Sequence, residues 1–336
     1  MRRADHLSCR AYRLGSAVRS NERFARPIRR PIARLEVELA VIGLALLTAA
    51  GWGISDPLSK AGMERGGSPF QAALAVVTVS VVGYWMVLSI RGFDLLSLPG
   101  WVLGAFLGIG LVSTALARLL NYVGVQRAGA SVNSATVNTR PVWATIVAVA
   151  FLGETITVQG AFGIGCIVGG LVLIALSGGG DVSGWNKRDL LFPLAAAVTF
   201  AVGNTARRYL FTQTAVTPLE AVALNEFAGL LGLIAILLYR ERGDLRDYLD
   251  APREAYAYFV GCGMLSALSL FALFAALDRG RVVVVDPLSS PTSLFAITAT
   301  ALFFGGVESV TPRLVVGALS VIAGVVLITG PQFLVV

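Results

Sequence analysis

Long apolar runs alternate with short polar or glycine- and proline-rich breaks along almost the whole chain. A helix needs about 20 residues to cross the hydrocarbon core of a bilayer. Runs of that length are expected to form helices over 37–59, 69–90, 101–123, 128–151, 157–177, 189–210, 218–239, 256–277, 282–304 and 312–331. The breaks between them carry turn and helix-start residues, among them Gly66-Gly67-Ser68-Pro69, Leu98-Pro99-Gly100, Gly178-Gly179-Gly180-Asp181 and Thr311-Pro312. Several links are so short that the helices they join must be antiparallel neighbours. Barrel strands are excluded, because the runs are too long and do not alternate with a period of two.

The pattern repeats. Ser68-Pro69-Phe70-Gln71-Ala72 opens the second run and Thr217-Pro218-Leu219-Glu220-Ala221 opens the seventh. Glu154 is followed by Gly163 and Gly170, and Glu308 by Gly317 and Gly324 at the same spacing, while Gly108 and Gly110 match Gly261 and Gly263. Five runs per half is an odd number, so the second half must enter the membrane from the opposite side. The fold expected is an all-α membrane protein with ten transmembrane helices arranged as two inverted five-helix repeats. The first repeat is 37–177, a Gly-rich linker covers 178–188, and the second repeat is 189–331. Two similar halves in opposite orientations support inward-open and outward-open states around one central site, which is a transporter arrangement.

Composition agrees and adds one correction. Of 336 residues, 56% are apolar or aromatic and only 14% charged, against about 25% charged in soluble domains. The net charge of +7 is not spread over the chain: residues 1–34 hold ten arginines against Asp5 and Glu22, a local +8, and the rest nets to −1. Residues 1–36 therefore read as an Arg-rich, disordered cytoplasmic tail that can lie on anionic lipid, with a mitochondrial presequence as the other reading. The run that follows is longer than a signal-peptide core and is expected to be a retained helix. With ten spans both termini share a side, and the tail's arginines place that side in the cytoplasm. His6 and Cys9 lie in the tail, and Cys166 and Cys262 lie in apolar runs. That leaves no disulfide framework and no Cys/His metal site, so no cofactor and no metal are expected. Nucleic acid is not an expected partner; the chain is expected as a monomer or homodimer in a bilayer.

At the level of motifs the chain resembles the EamA family of the drug/metabolite transporter superfamily. The residues that carry the resemblance are Trp52-Gly53, then Arg140-Pro141 leading to Phe151-Leu152-Gly153-Glu154 with Gln159 and Gly163. In the second half they are Ala276-Leu277-Asp278-Arg279-Gly280, Pro287-Leu288-Ser289-Ser290, and Phe303-Phe304-Gly305-Gly306 before Glu308. The resemblance implies ten helices, both ends cytoplasmic, and secondary transport of small metabolites. The expected function is movement of a small polar metabolite, an amino acid or another carboxylate or anion, across the cell membrane by alternating access, with proton coupling as one mode. A non-transporting scaffold and a membrane enzyme are the alternatives. No His lies beyond residue 6 and no HExxH appears, so an enzyme is not expected.

Charges at membrane depth each need a partner or a task. Arg140 lies near the middle of the expected span 128–151, where Pro141 should free a carbonyl one turn earlier and kink the helix. It reads either as a contact for an anionic substrate or as one member of a permanent ion pair, for example with Glu226. Glu226 in turn is a proton-exchanging carboxylate or an ion-pair member. Arg118 is expected to snorkel outward, Arg207 and Arg208 to anchor the inner end of the sixth helix, and Glu154 and Glu308 to shape turns. Trp52, Ser55 and Asp56 in the first helix correspond to Phe200, Gly203 and Asn204 in the sixth. In the ninth helix, Asp286, Pro287, Ser289, Ser290 and Pro291 should disrupt the first turn. The expected substrate-binding residues are Trp52, Asn121, Asn138, Arg140, Asn204 and Ser290, with Glu226 and Asp286 as coupling or ion-pair groups.

Overall fold

The structure is a computed structural model that describes residues 36–55, 57–59, 61–92, 98–128, 133, 136–177, 186–240, 250–292, 294–295, 298–299 and 312–334. The tail through residue 35, most of the Gly-rich linker, and Glu308 lie outside the described residues. What is described is helical, and six helices are long and apolar enough to cross a membrane. These are Glu36–Glu64, Phe70–Ile90, Gly100–Asn121, Arg188–Gln213, Pro218–Tyr239 and Arg253–Arg279. Apolar side chains cover the outside of the bundle as well as its core: on the last helix Val316, Leu319, Ile322 and Val326 are all exposed. Such a surface is stable in lipid and not in water. The protein is a multi-pass helical membrane protein.

In chain order, α1 covers 36–55 and α2 is Pro69–Ile90. The third element, α3, is composite: α-helix over Gly100–Ile109, a π-helical stretch over Gly110–Leu116, and α-helix over Ala117–Ala128. There follow α4 (Arg140–Leu152), α5 (Val158–Ser177), α6 (Leu191–Gln213) and α7 (Pro218–Arg240). The chain continues with α8 (Arg253–Arg279), α9 (Val282–Leu288) and α10 (Pro312–Leu334).

Two expected spans depart from the sequence reading. Helix α4 begins only at Arg140, after helical residues at 133 and 136–137 and a turn at 138–139, so Arg140 stands at a break within the expected span. Pro141 sits in the first turn of α4, a position that proline suits because its missing N–H has no acceptor within that helix. Helix α9 is the reverse case. Its first turn over Val282–Val285 is regular, and the disruption comes at its C-terminal end, where Pro287 and Pro291 flank Ser289 and Ser290.

The repeated start motifs form the same cap. Ser68 Oγ accepts from Gln71 N at 3.2 Å while Gln71 Oε1 accepts from Ser68 N at 2.7 Å. Thr217 and Glu220 do likewise at 3.4 and 2.8 Å. Each is a reciprocal capping box followed by proline in the first turn. The repeated glycines form an interface. A Cβ on Gly163 would lie 2.9 Å from Gly324 O, and one on Gly170 would lie 2.5 Å from Gly317 O. Helices α5 and α10 thus cross antiparallel at backbone contact, each glycine of one half meeting the opposite glycine of the other.

Candidate functional site

A polar cavity of about 300 Å³ lies inside the bundle. Its lining comes from the last turns of α1 (Trp52, Ser55), the second half of α3 (Ser113, Thr114, Arg118, Asn121), and the middle of α6 (Phe200, Asn204, Arg207). Glu226 of α7, Cys262 and Ser266 of α8, Arg140 of α4 and Ser289 and Ser290 after α9 also line it. Of the expected binding residues, Trp52, Asn121, Asn138, Arg140, Asn204 and Ser290 all face this one space. The matched aromatics Trp52 and Phe200 face it from α1 and α6, and Asn204 does too, while its counterpart Asp56 lies outside the described residues.

The π-helical stretch explains how α3 contributes. The side-chain amide of Asn225 donates to Phe106 O at 2.6 Å, drawing that carbonyl toward α7. A Cβ on Gly110 would lie only 2.3 Å from Asn225 O, so the two backbones touch there. Phe106 O also keeps its bond from Gly110 N, so the contact marks where the π-helical stretch begins. It turns Ser113 and Thr114 inward: Ser113 accepts from Arg207 Nη2, and Thr114 Oγ1 donates to Glu226 Oε1 at 3.4 Å.

The ionic partners differ from those expected. Arg140 pairs with Asp286, Nε to Oδ2 at 3.1 Å, and not with Glu226. Its Nη2 also donates to Ser290 Oγ at 3.0 Å and Ser289 Oγ at 3.4 Å. Asp286 is wholly buried and uses its other oxygen to accept from Asn204 Nδ2 at 2.5 Å. The end of α9, which two prolines leave without a regular continuation, supplies this set of acceptors on one short segment. Glu226 instead faces Arg118, 3.7 Å from Nη2. Its Oε2 has no hydrogen-bond partner, although the side chain is only 1% exposed. Arg118 therefore turns into the cavity and does not snorkel to the surface.

Arg207 is the residue that the sequence reading misplaced. Helix α6 runs on to Gln213, so Arg207 sits well inside it and is 4% exposed. Its Nε donates to Asn225 Oδ1 at 2.9 Å and Nη1 to Asn204 Oδ1 at 2.7 Å, and the guanidinium lies 4.9 Å from the Phe274 ring centre. The spacing of Asn204 and Arg207, three residues apart on one helical face, was a signal in the sequence. Arg208 does bind a helix end, as expected: its Nη1 donates to Leu277 O at 3.0 Å and Asp278 O at 2.6 Å, the last carbonyls of α8.

Glu154 does more than shape a turn. Gly153 ends α4 in the left-handed region at φ 65°, which turns the next residue back across the bundle. The Glu154 carboxylate then accepts from Val282 N at 2.9 Å and Val283 N at 3.0 Å, capping α9 from the other half of the chain. Arg281 Nη1 donates to Thr155 O at 3.2 Å beside it. These contacts tie together the bundle end where α9 starts and α8 finishes. The cavity lining comes from the other side, where α1 finishes and α2 and α8 start.

A model of the EamA-like transporter family matches the chain twice, over residues 39–176 and 187–330. A WAT1-related chloroplastic protein of Arabidopsis thaliana is 25% identical over 217 residues, 62% of this chain and 50% of that protein. The chain thus spans about half the length of that curated relative. A protein of solved crystal structure superposes with a TM-score of 0.68 at 15% identity, over 89% of this chain and 98% of that one, and so shares the fold. With both halves matched and the motifs in order, the chain belongs to the EamA-like transporter family, in the drug/metabolite transporter superfamily.

Proposed function

We propose that this membrane transporter moves a small polar metabolite, an amino acid or another carboxylate or anion, across the cell membrane by alternating access. The observation that carries the reading is the cavity with polar and charged lining inside an apolar bundle, walled by both halves of the chain, with Glu154 of the first half capping α9 of the second. Matching capping boxes, the reciprocal glycine contacts of α5 and α10, and the two family matches support ten helices in two inverted repeats. Trp52, Asn121, Asn138, Arg140, Asn204 and Ser290 line the path in this reading. Both termini face the cytoplasm, with the arginine tail on anionic lipid. Proton coupling is one mode of this reading.

Uptake of a labelled metabolite library by proteoliposomes, with and without an imposed pH gradient, tests the reading. Saturable uptake of at least one small polar compound that Arg140→Gln abolishes and Arg140→Lys retains in part is expected. No uptake of any library member, with the protein folded and inserted, overturns it in favour of a scaffold.

A further inference from the structure

Around the cavity the described charges do not cancel. Arg140 is paired with Asp286 and Arg118 faces Glu226, so these four sum to zero. Arg207 is left, and among the described residues it has no ion pair. The groups in direct contact with it are neutral: Asn225, Asn204 and Ser113 accept from three of its nitrogens, and Phe274 covers it, while Glu226 and Asp286 act on it only from beyond contact distance. Asp286 reaches Asn204 and not Arg207, and Glu226, next along the chain from Asn225, turns to Arg118. A guanidinium carries five N–H donors. Three are engaged, which leaves one on each terminal nitrogen, the fork that suits a carboxylate. Neutral acceptors orient the group without neutralising it, and a buried cation without a counter-ion is costly.

We propose that Arg207 is the anion anchor of the transport site, and that the substrate it takes carries one negative charge. A monovalent anion brings the described charges to neutrality; a dianion would leave them at −1. The proposal rests on the transport reading above and moves the anchor from Arg140, whose charge Asp286 already answers, to α6 of the second half.

Trp52 lines the same cavity and serves as reporter. The full chain in nanodiscs is titrated with iodide, an anionic quencher, and separately with neutral acrylamide, with sodium sulfate holding the ionic strength. The Trp52 contribution is taken from the difference against Trp52→Phe. Iodide quenching of Trp52 is expected to saturate and to be displaced by acetate. Arg207→Gln should weaken it about tenfold, the effect of one nearby charge at intermediate dielectric, with acrylamide quenching unchanged as the sign of an intact fold. Arg207→Lys should keep most of it. Iodide quenching that survives Arg207→Gln, or never saturates against sulfate, overturns the proposal. Metabolite uptake that persists without Arg207-dependent iodide binding overturns the anchor alone. Saturable iodide binding with no uptake of any metabolite overturns the transport reading and leaves the anchor standing.

Discussion

The α5/α10 seam and the α4/α9 seam both join the first half of the chain to the second, but one is packed backbone against backbone and the other is held by charges. At α5/α10, Gly163 and Gly170 meet Gly324 and Gly317 so closely that no side chain fits between them, with Ser320 Oγ to Cys166 O at 2.8 Å as a polar crossing. At α4/α9, Arg140, Asp286, Ser289, Ser290 and Glu154 make the contacts through side chains. Close packing in lipid has few alternative arrangements of similar energy. Polar contacts can be traded for water or substrate at small net cost, because each exchange replaces one hydrogen bond by another. In the transport reading, then, α5/α10 is the fixed strut and α4/α9 is where the halves part.

The largest expected effect breaks the strut. Gly170→Leu puts a branched side chain where a Cβ alone would be 2.5 Å from Gly317 O, a loss of more than about 3 kcal/mol, beyond ordinary overpacking. Gly165→Leu on the same helix has nothing within 4 Å and should leave yield and melting temperature in detergent near those of the parent. Equal damage from both would remove the distinction between the seams.

Next comes the charged seam. Asp286→Asn leaves Arg140 without its anion and should lower stability by about 3–5 kcal/mol, as when one partner of a buried pair is removed. Arg140→Met/Asp286→Leu should recover most of that, since apolar pairs of similar size replace buried ion pairs without loss. Thermal unfolding of the two variants side by side decides this. Recovery would show that the pair serves function more than stability.

Glu154→Gln keeps one acceptor for Val282 and Val283 and loses the charge at the start of α9, an effect of about 1–2 kcal/mol. Amide hydrogen exchange at Val282 and Val283 should quicken while exchange along α5 stays slow. The smallest effects sharpen the likeness of the halves. Ser68→Ala and Thr217→Ala each remove one capping box and should each cost about 1 kcal/mol, and a marked inequality between them would count against equivalent repeat positions.

Much of this was legible in residue order, for reasons that particular positions make plain. Ser68-Pro69 and Thr217-Pro218 act within four residues of themselves, so their caps could be read directly. Gly163, Gly170, Gly317 and Gly324 repeat at a spacing of two helical turns, and that spacing already implied one face. Asn204 and Ser290 were recognisable as polar residues at membrane depth. Arg207 was not, because a basic residue adjacent to another basic residue near a helix end reads as an interfacial anchor until the helix is seen to continue to Gln213. The partner of Arg140 was not legible either. Asp286 and Glu226 are both distant acids in apolar surroundings, and nothing in their neighbours ranks one above the other.

The amino-acid sequence by itself determined the environment and the modules: an apolar chain that must lie in lipid, helices set by run length, and two halves set by repeated caps and glycines. These follow from local properties, hydrophobicity and hydrogen bonding within a turn, which need no knowledge of the rest of the molecule. Only the tertiary structure decided which charge meets which, that α3 passes through a π-helical stretch to present Ser113 and Thr114, and that Arg207 ends up buried among neutral acceptors. The physical reason is range. Ion pairs in a low-dielectric interior depend on separations of a few ångströms between residues more than a hundred positions apart, such as the 3.1 Å from Arg140 to Asp286. Such separations exist only once the helices have packed.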